Sequence, residues 1–226
     1  MTKEIEVLIC AATSGELECW PGDWQKLILG DYEYIKMGQL GFLITGVGVP
    51  MTMASLLSRL SYSRPRLIVN IGIAGAYPNS LLKEGELVVG KQECFGDVGV
   101  ELPSPPSFRP LSDFEFGKEY AEEYHLEVVS DVLKGNFSEG KGCTVNCCTG
   151  TEKTGLMREG LFKAQFETME GAAVAHVGRT LELPVIEIRS ISNIASTRNI
   201  TPKKVSDSLE SLKSFLKLNQ SALEGL

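Results

Sequence analysis

The chain predicts an α/β fold: a single-domain, three-layer α/β/α arrangement around a mixed, mostly parallel central sheet. Apolar runs of strand length, rich in β-branched residues, alternate along it with stretches whose leucines recur at helical spacing. Turns of small residues close the strands, as in sheets that bind ligands beyond their strand ends. Its 226 residues are 43% hydrophobic and 23% charged, enough apolar surface for one large core, so residues 1–226 read as one domain.

Ile5 to Ala12 is a buried strand, and Thr13, Ser14 and Gly15 after it are turn and cap residues. Tyr32 to Met37 and Gly41 to Thr45 read as an antiparallel pair running into the Gly46-Val47-Gly48 turn. Pro50 suits the first position of a helix, in which Met53, Leu56, Leu57 and Leu60 form an apolar stripe that ends before Pro65. Arg66 to Ile73 is the most apolar strand candidate and leads into a second small-residue turn through Ala76. Glu86 to Cys94, Leu126 to Asp131, Cys143 to Cys148 and Pro184 to Ile191 complete the strands, while Glu170 to Glu182 and Thr201 to Leu218 read as helices. In the last helix Val205, Leu209, Leu212 and Leu216 share a stripe. Leu102 to Pro110 has four prolines in nine residues and reads as a surface loop or lid.

Lys and Arg number 22 against 29 Asp and Glu, a net charge of −7, and no basic block is present. That leaves little to neutralise nucleic-acid phosphates or an anionic membrane surface, so neither is an expected partner. The longest uncharged window, Met37 to Ser58, is interrupted by four glycines and Pro50 and does not read as a membrane span. The opening MTKEIEVLIC lacks the apolar run and cleavage site of a signal peptide, so a cytoplasmic location is expected, with the six cysteines reduced. Adjacent Cys147 and Cys148 and only two histidines offer no usual zinc spacing, so no metal is expected.

Three segments could carry chemistry. The Gly46-Val47-Gly48 turn lets a ligand approach backbone N–H groups at a helix start, although such turns are also merely tight turns. Phe166 to Gly171 sets Glu170 at the opening of an alanine-rich helix beside Met169; this is either complementation of the helix dipole or a carboxylate for two hydroxyls of a ribose diol. Arg189 to Asn193 puts polar side chains at the end of a buried strand, where ligand contacts and ordinary turn caps both occur.

Taken in order, AATSGE, TGVGVP, NIGIAG, TMEGAAVAH and VIEIRSISN resemble the purine nucleoside phosphorylase and 5′-methylthioadenosine/S-adenosylhomocysteine nucleosidase superfamily. Within it they are most similar to the futalosine hydrolases of the alternative menaquinone pathway, over Ile5 to Arg198. The resemblance implies a nucleoside phosphorylase-like fold, a small-molecule nucleoside substrate, no cofactor, and a homodimer or larger homo-oligomer. It makes Glu16 the residue that holds and deprotonates an attacking water, and places Val47, Ala74 and Gly75 in the nucleoside pocket. Met169 and Glu170 would hold the sugar, and Ser192 and Asn193 the purine.

Departures from the family pattern sharpen the expectation. Methylthioadenosine nucleosidases have an acidic aspartate where Asn193 stands; an amide cannot donate a proton outright but can hydrogen-bond to N7 or O6 of a 6-oxopurine. Ile73 occupies a turn where the superfamily's phosphorylases bind phosphate, and their GDPxR motif is absent, which favours water as nucleophile. Thr168 replaces a further carboxylate, and no base-stacking aromatic is identifiable in Thr149 to Thr154. The expected reaction is hydrolysis of futalosine to hypoxanthine and dehypoxanthine futalosine, with Arg198 first and Arg109 second as partner of the substrate's carboxylate. The alternatives are a methylthioadenosine/S-adenosylhomocysteine nucleosidase, an inosine phosphorylase and a non-catalytic nucleoside-binding protein.

Overall fold

The computed structural model describes residues 6–22, 25–29, 32–104 and 108–226. Its sheet starts from β1 (Val7–Ala11), every residue of which is buried. Val7, Ile9 and Ala11 pack with Leu17, Trp20, Leu212, Phe215 and Leu216, whereas Leu8 and Cys10 pack with Leu56, Leu60, Ala172 and Val174. The period of two in side-chain direction thus gives β1 an apolar partner on each side, which is why its run is continuously apolar rather than alternating. The first group belongs to α1 (Ser14–Leu17) and α5 (Pro202–Gly225), the second to α2 (Val49–Leu60) and α4 (Gly171–Leu181).

β4 (Leu40–Ile44), β1, β5 (Leu67–Ala76) and β12 (Val185–Ile194) lie side by side and parallel. Beyond this centre the pairing is mixed: β2 (Gln25–Leu29) and β3 (Tyr32–Met37) add antiparallel strands next to β4, and β12 runs antiparallel to β6 (Leu87–Phe95). β6 then pairs in parallel with β10 (Ser138–Thr144), and β10 with β11 (Phe166–Thr168), which returns antiparallel to the end of β5. Strands β5, β12, β6, β10 and β11 therefore close into a ring, in which β12–β6 and β11–β5 are the antiparallel pairings.

Several expected elements move. Leu126–Asp131 is not a strand; the short β9 (Tyr124–His125) pairs with β6, and the chain then leaves the sheet. β10 ends at Thr144, so Val145 to Cys148 form a loop, in which the Asn146 N–H donates to Asp97 Oδ2 (2.6 Å). The NIGIAGA segment stays in β5 to Ala76 instead of turning, because β12 and β11 pair with it there from both sides. Gly48, at φ 88°, precedes α2, and Thr201 caps α5, which runs on to Gly225. The sequence reading did not anticipate β2, α1 or α3 (Glu152–Phe162); the last has a buried-to-exposed pattern too weak to read as an amphipathic stripe. Of the proline-rich excursion, 105–107 lie outside the described residues; β8 (Phe108–Pro110) pairs with β7 (Gly99–Glu101). Among the described residues, no helix is long and apolar enough to cross a membrane.

Candidate active site

The end of β1 delivers the first functional side chain. Thr13 caps α1 through a reciprocal box: its hydroxyl accepts the Glu16 N–H (3.3 Å), while its own N–H (3.1 Å) and hydroxyl (2.9 Å) donate to Glu16 Oε2. The other oxygen, Oε1, accepts the backbone N–H of Ile73 in β5 (3.0 Å). Three donors from two segments fix a carboxylate that is 7% exposed.

Glu170 is the N-cap residue of α4, but its side chain does not cap the helix. It reaches instead to the turn before α2, where the Gly48 N–H donates to Oε1 (3.0 Å). The dipole-complementing reading of Glu170 is thereby corrected: the carboxylate joins two helix starts across the cavity. Burial pushes this carboxyl above the ordinary range, Glu16 and Glu187 push the same way, and Arg189 and the Gly48 N–H pull it back only in part.

Arg189 is the residue the sequence reading left without a role. It is fully buried; its Nε donates to Glu187 Oε1 (2.9 Å) and its Nη1 lies 3.9 Å from Glu170 Oε2. Burial works against its charge, but Glu187, Glu170 and Glu16 outweigh that and hold the guanidinium above its ordinary value. The register places Arg189 opposite Gly72, and this glycine has a reason: Arg189 Nη1 and Glu16 Oε1 (2.6 Å) already fill the space of a Cβ there. Gly72→Ala is therefore expected to shift the carboxylate–guanidinium pair rather than unfold the chain. Turnover should fall about 100-fold, the scale of an ångström-sized misplacement, with a change of only a few degrees in melting temperature. Steady-state kinetics alongside a thermal melt checks both halves.

β12 carries a register shift between Ile191 and Asn193 against β5. Such a bulge re-aims side chains, and here it turns both Ser192 and Asn193 toward the cavity. The Ser192 hydroxyl lies within reach of Ala74 O (3.1 Å) and Asn193 Oδ1 (2.9 Å). Asn193 Nδ2 donates one hydrogen to Ile194 O (3.1 Å), leaving the second for a ligand.

These groups face one cavity of about 300 Å³. Glu16, Val47, Ala74, Gly75, Met169, Glu170, Ser192, Asn193 and Arg198, all named from the sequence, line it together. Ile73 and Thr168 also line it, whereas Arg109 does not: it pairs with Asp113 (3.4 Å) and lies over the Phe114 ring (4.5 Å). Not foreseen were Cys148, Thr149 and Glu167 on one wall and Ile200, Val205 and Leu209 on another. The first wall is tied down from behind: Arg158 of α3 donates to Cys147 O (3.0 Å), Thr149 Oγ1 (2.9 Å) and Glu167 Oε2 (3.0 Å), and the Thr149 N–H donates to Glu167 Oε1 (2.8 Å). Among the described residues no aromatic side chain lines the cavity, and no cluster of His, Cys, Asp and Glu is set to hold a metal ion. The site can do acid–base and hydrogen-bond chemistry on a bound ligand: two buried carboxylates line the cavity with an amide donor, and a buried cation interacts with both carboxylates.

Known proteins resemble this chain in sequence and in fold. The chain is 24% identical over 204 residues to a 5′-methylthioadenosine/S-adenosylhomocysteine nucleosidase of Buchnera aphidicola, covering 84% of this chain and 80% of the relative. The solved S-adenosylhomocysteine nucleosidase of Streptococcus pyogenes, in complex with 5-methylthiotubericidin, superposes with a TM-score of 0.79 at 22% identity, covering 99% of this chain and 98% of that one. A futalosine hydrolase mutant of Helicobacter pylori gives 0.73 at 19% identity, covering 98% and 100%. The first two are nucleosidases by name and the third a hydrolase. The family model described as Phosphorylase superfamily matches residues 26–226, and the chain belongs to that superfamily.

Proposed function

We propose that the protein is a nucleosidase that hydrolyses the N-glycosidic bond of a 6-oxopurine nucleoside, futalosine first among them, and releases hypoxanthine. The observation that carries the reading is an Asn193 amide, with one hydrogen uncommitted, in the same cavity as the paired carboxylates Glu16 and Glu170. Water bound at Glu16 attacks C1′ as the C1′–N9 bond breaks, and Glu16 takes the water's proton. The bonding electrons leave with the base. Asn193 Nδ2 donates to N7 or O6 and stabilises that developing charge, and solvent supplies the proton that completes hypoxanthine. Glu170 accepts from the ribose hydroxyls. Water is favoured over phosphate because the N–H of Ile73 in β5, which the resemblance matches to the phosphate-holding position of phosphorylases, is committed to Glu16.

Arg198 supports futalosine in particular. It is exposed, has no carboxylate partner among the described residues, and adjoins Ile200, Val205 and Leu209, so this wall offers an aromatic carboxylate an apolar face and a cation. Val47, Met51 and Leu57 are exposed beside the cavity mouth and along α2, which supports assembly as a homodimer or larger homo-oligomer. The names of the relatives favour a second reading, release of adenine from 5′-methylthioadenosine or S-adenosylhomocysteine.

Product analysis in phosphate-free buffer with futalosine, inosine and 5′-methylthioadenosine separates the readings. Hypoxanthine from futalosine is expected; adenine from 5′-methylthioadenosine establishes the second reading, and phosphate-dependent turnover a phosphorylase. Asn193→Asp is expected to cut kcat/KM for futalosine about 10- to 100-fold, since a half-buried carboxylate facing O6 removes a donor and adds repulsion at about 1–3 kcal/mol. An unchanged preference among the three substrates removes Asn193 from base selection.

A further inference from the structure

Behind the cavity, Arg189 meets a second pair of carboxyl groups. Glu187 and Glu93 are both buried, at 1% and 0% exposure, on neighbouring strands β12 and β6. Glu93 Oε1 and Glu187 Oε1 fill, from two sides, the space that a Cβ on Gly171 would need, the latter at 2.6 Å. Gly171 is the first residue of α4, directly after Glu170, so the same helix start that carries the sugar-facing carboxylate roofs this pair. The environments of the two differ. Glu187 is bound by charge, to Arg189 Nε (2.9 Å), with Asn70 Nδ2 at 3.4 Å. Glu93 is bound by neutral donors: the Thr144 hydroxyl (2.9 Å), the Thr168 hydroxyl (3.0 Å) and the Cys94 N–H (3.2 Å).

We propose that Glu187 is a positioning residue for the hydrolytic site: it anchors Arg189 from behind, so that the guanidinium's other end is presented to Glu16 and Glu170, while Glu93 contributes shape and hydrogen bonds but no charge. The inference rests on the assignment of Glu16 and Glu170 made above. One cation cannot neutralise four buried carboxylates, and two unshielded charges on either side of Gly171 would repel strongly. Burial and the neighbouring Glu187 and Cys143 push the Glu93 carboxyl well above its ordinary range, only partly offset by the Thr144 hydroxyl and Arg189. The charged groups around the pair are Arg189 and Glu170, with Glu16 beyond them; Cys94 and Cys143 are its thiol neighbours.

Two isosteric substitutions separate charge from shape. Glu93→Gln copies the neutral acid, and its kcat is expected within about threefold of the unmodified enzyme, with the acidic limb of the pH–kcat profile in place. Glu187→Gln removes the counter-charge; kcat is expected to fall at least about tenfold, and the acidic limb to move to lower pH because Arg189 then draws harder on the carboxylates at its other end. KM should change far less than kcat. Glu187→Asp keeps the charge and is expected to keep the limb where it was, and it carries the test if Glu187→Gln does not fold. Equal effects of the two glutamine variants, or an acidic limb that moves in Glu187→Asp, overturn the proposal. Activity remaining in Glu16→Gln overturns the site assignment instead, which keeps the two failures distinguishable.

Discussion

Glu16→Gln is expected to lower turnover by about 100- to 10,000-fold, the range that a positioned proton acceptor contributes, with the fold intact. The carboxylate accepts three hydrogen bonds, from the Thr13 N–H and hydroxyl on one oxygen and from the Ile73 N–H on the other. A glutamine has one carbonyl oxygen to offer, so its NH2 must face either Thr13 or Ile73, stranding a donor at a cost of about 1–3 kcal/mol. Glutamine also serves at this position of a capping box, so α1 itself persists. The melting temperature should drop by roughly 2–4 °C per kcal/mol for a chain of this size. Under the proposed assignment substrate should still bind, because Glu170, Ser192 and Asn193, the groups assigned to sugar and base, are unchanged. Single-turnover measurements with a parallel melt test this, and near-normal turnover would mean that another group accepts the water's proton.

Replacing Arg189 by Met should be the most destabilising single change in the site. A methionine fills much of the volume but leaves Glu187, Glu170 and Glu16 without the cation that faces them. Breaking a buried pair from one side costs about 3–5 kcal/mol, or roughly 10 °C in melting temperature. The loss has a defined pH dependence. Glu170, already above its ordinary value through burial, rises further once the cation is gone. The folded state then binds more protons than the unfolded state, so the deficit is smallest below the unfolded carboxylate range and grows as pH rises through the folded one. Melts at pH 5 and pH 8 should show the larger gap from the unmodified protein at pH 8; an equal gap would mean the guanidinium matters for packing alone.

Much of the site was legible because its residues sit where short apolar runs stop. Glu16 follows β1, Glu170 precedes α4 and Asn193 stands near the end of β12, and the order of the motifs told which ends converge. The order and direction of the strands were less legible. β12 runs parallel to β5 yet antiparallel to β6, a choice made by long-range pairing that no local pattern encodes. NIGIAG reads as a turn because its small residues resemble one, whereas they are small so that Arg189, Glu16 and Asn193 can approach β5 closely. The polar run Glu187 to Asn193 also hides a change of period: the bulge after Ile191 breaks the alternation that would otherwise sort inward from outward side chains. The role of Arg189, within the third segment named from the sequence, is hidden for a related reason. A lone arginine inside an apolar strand is uncommon, and Glu187 of its own strand together with the carboxylates brought to it from two other segments explains it.

The bond from the Gly48 N–H to Glu170 joins residues 122 positions apart. Ser192 and Ala74, next to one another in the cavity wall, are separated by 118. During synthesis, therefore, the segment bearing Glu16 leaves the ribosome long before the strand that brings its cation, and Val205 and Leu209 of the pocket wall come later still. No early fragment can contain a working centre. Contacts of such sequence separation form late and slowly, so catalytic competence in this protein should emerge as the last event of folding, after most secondary structure is in place.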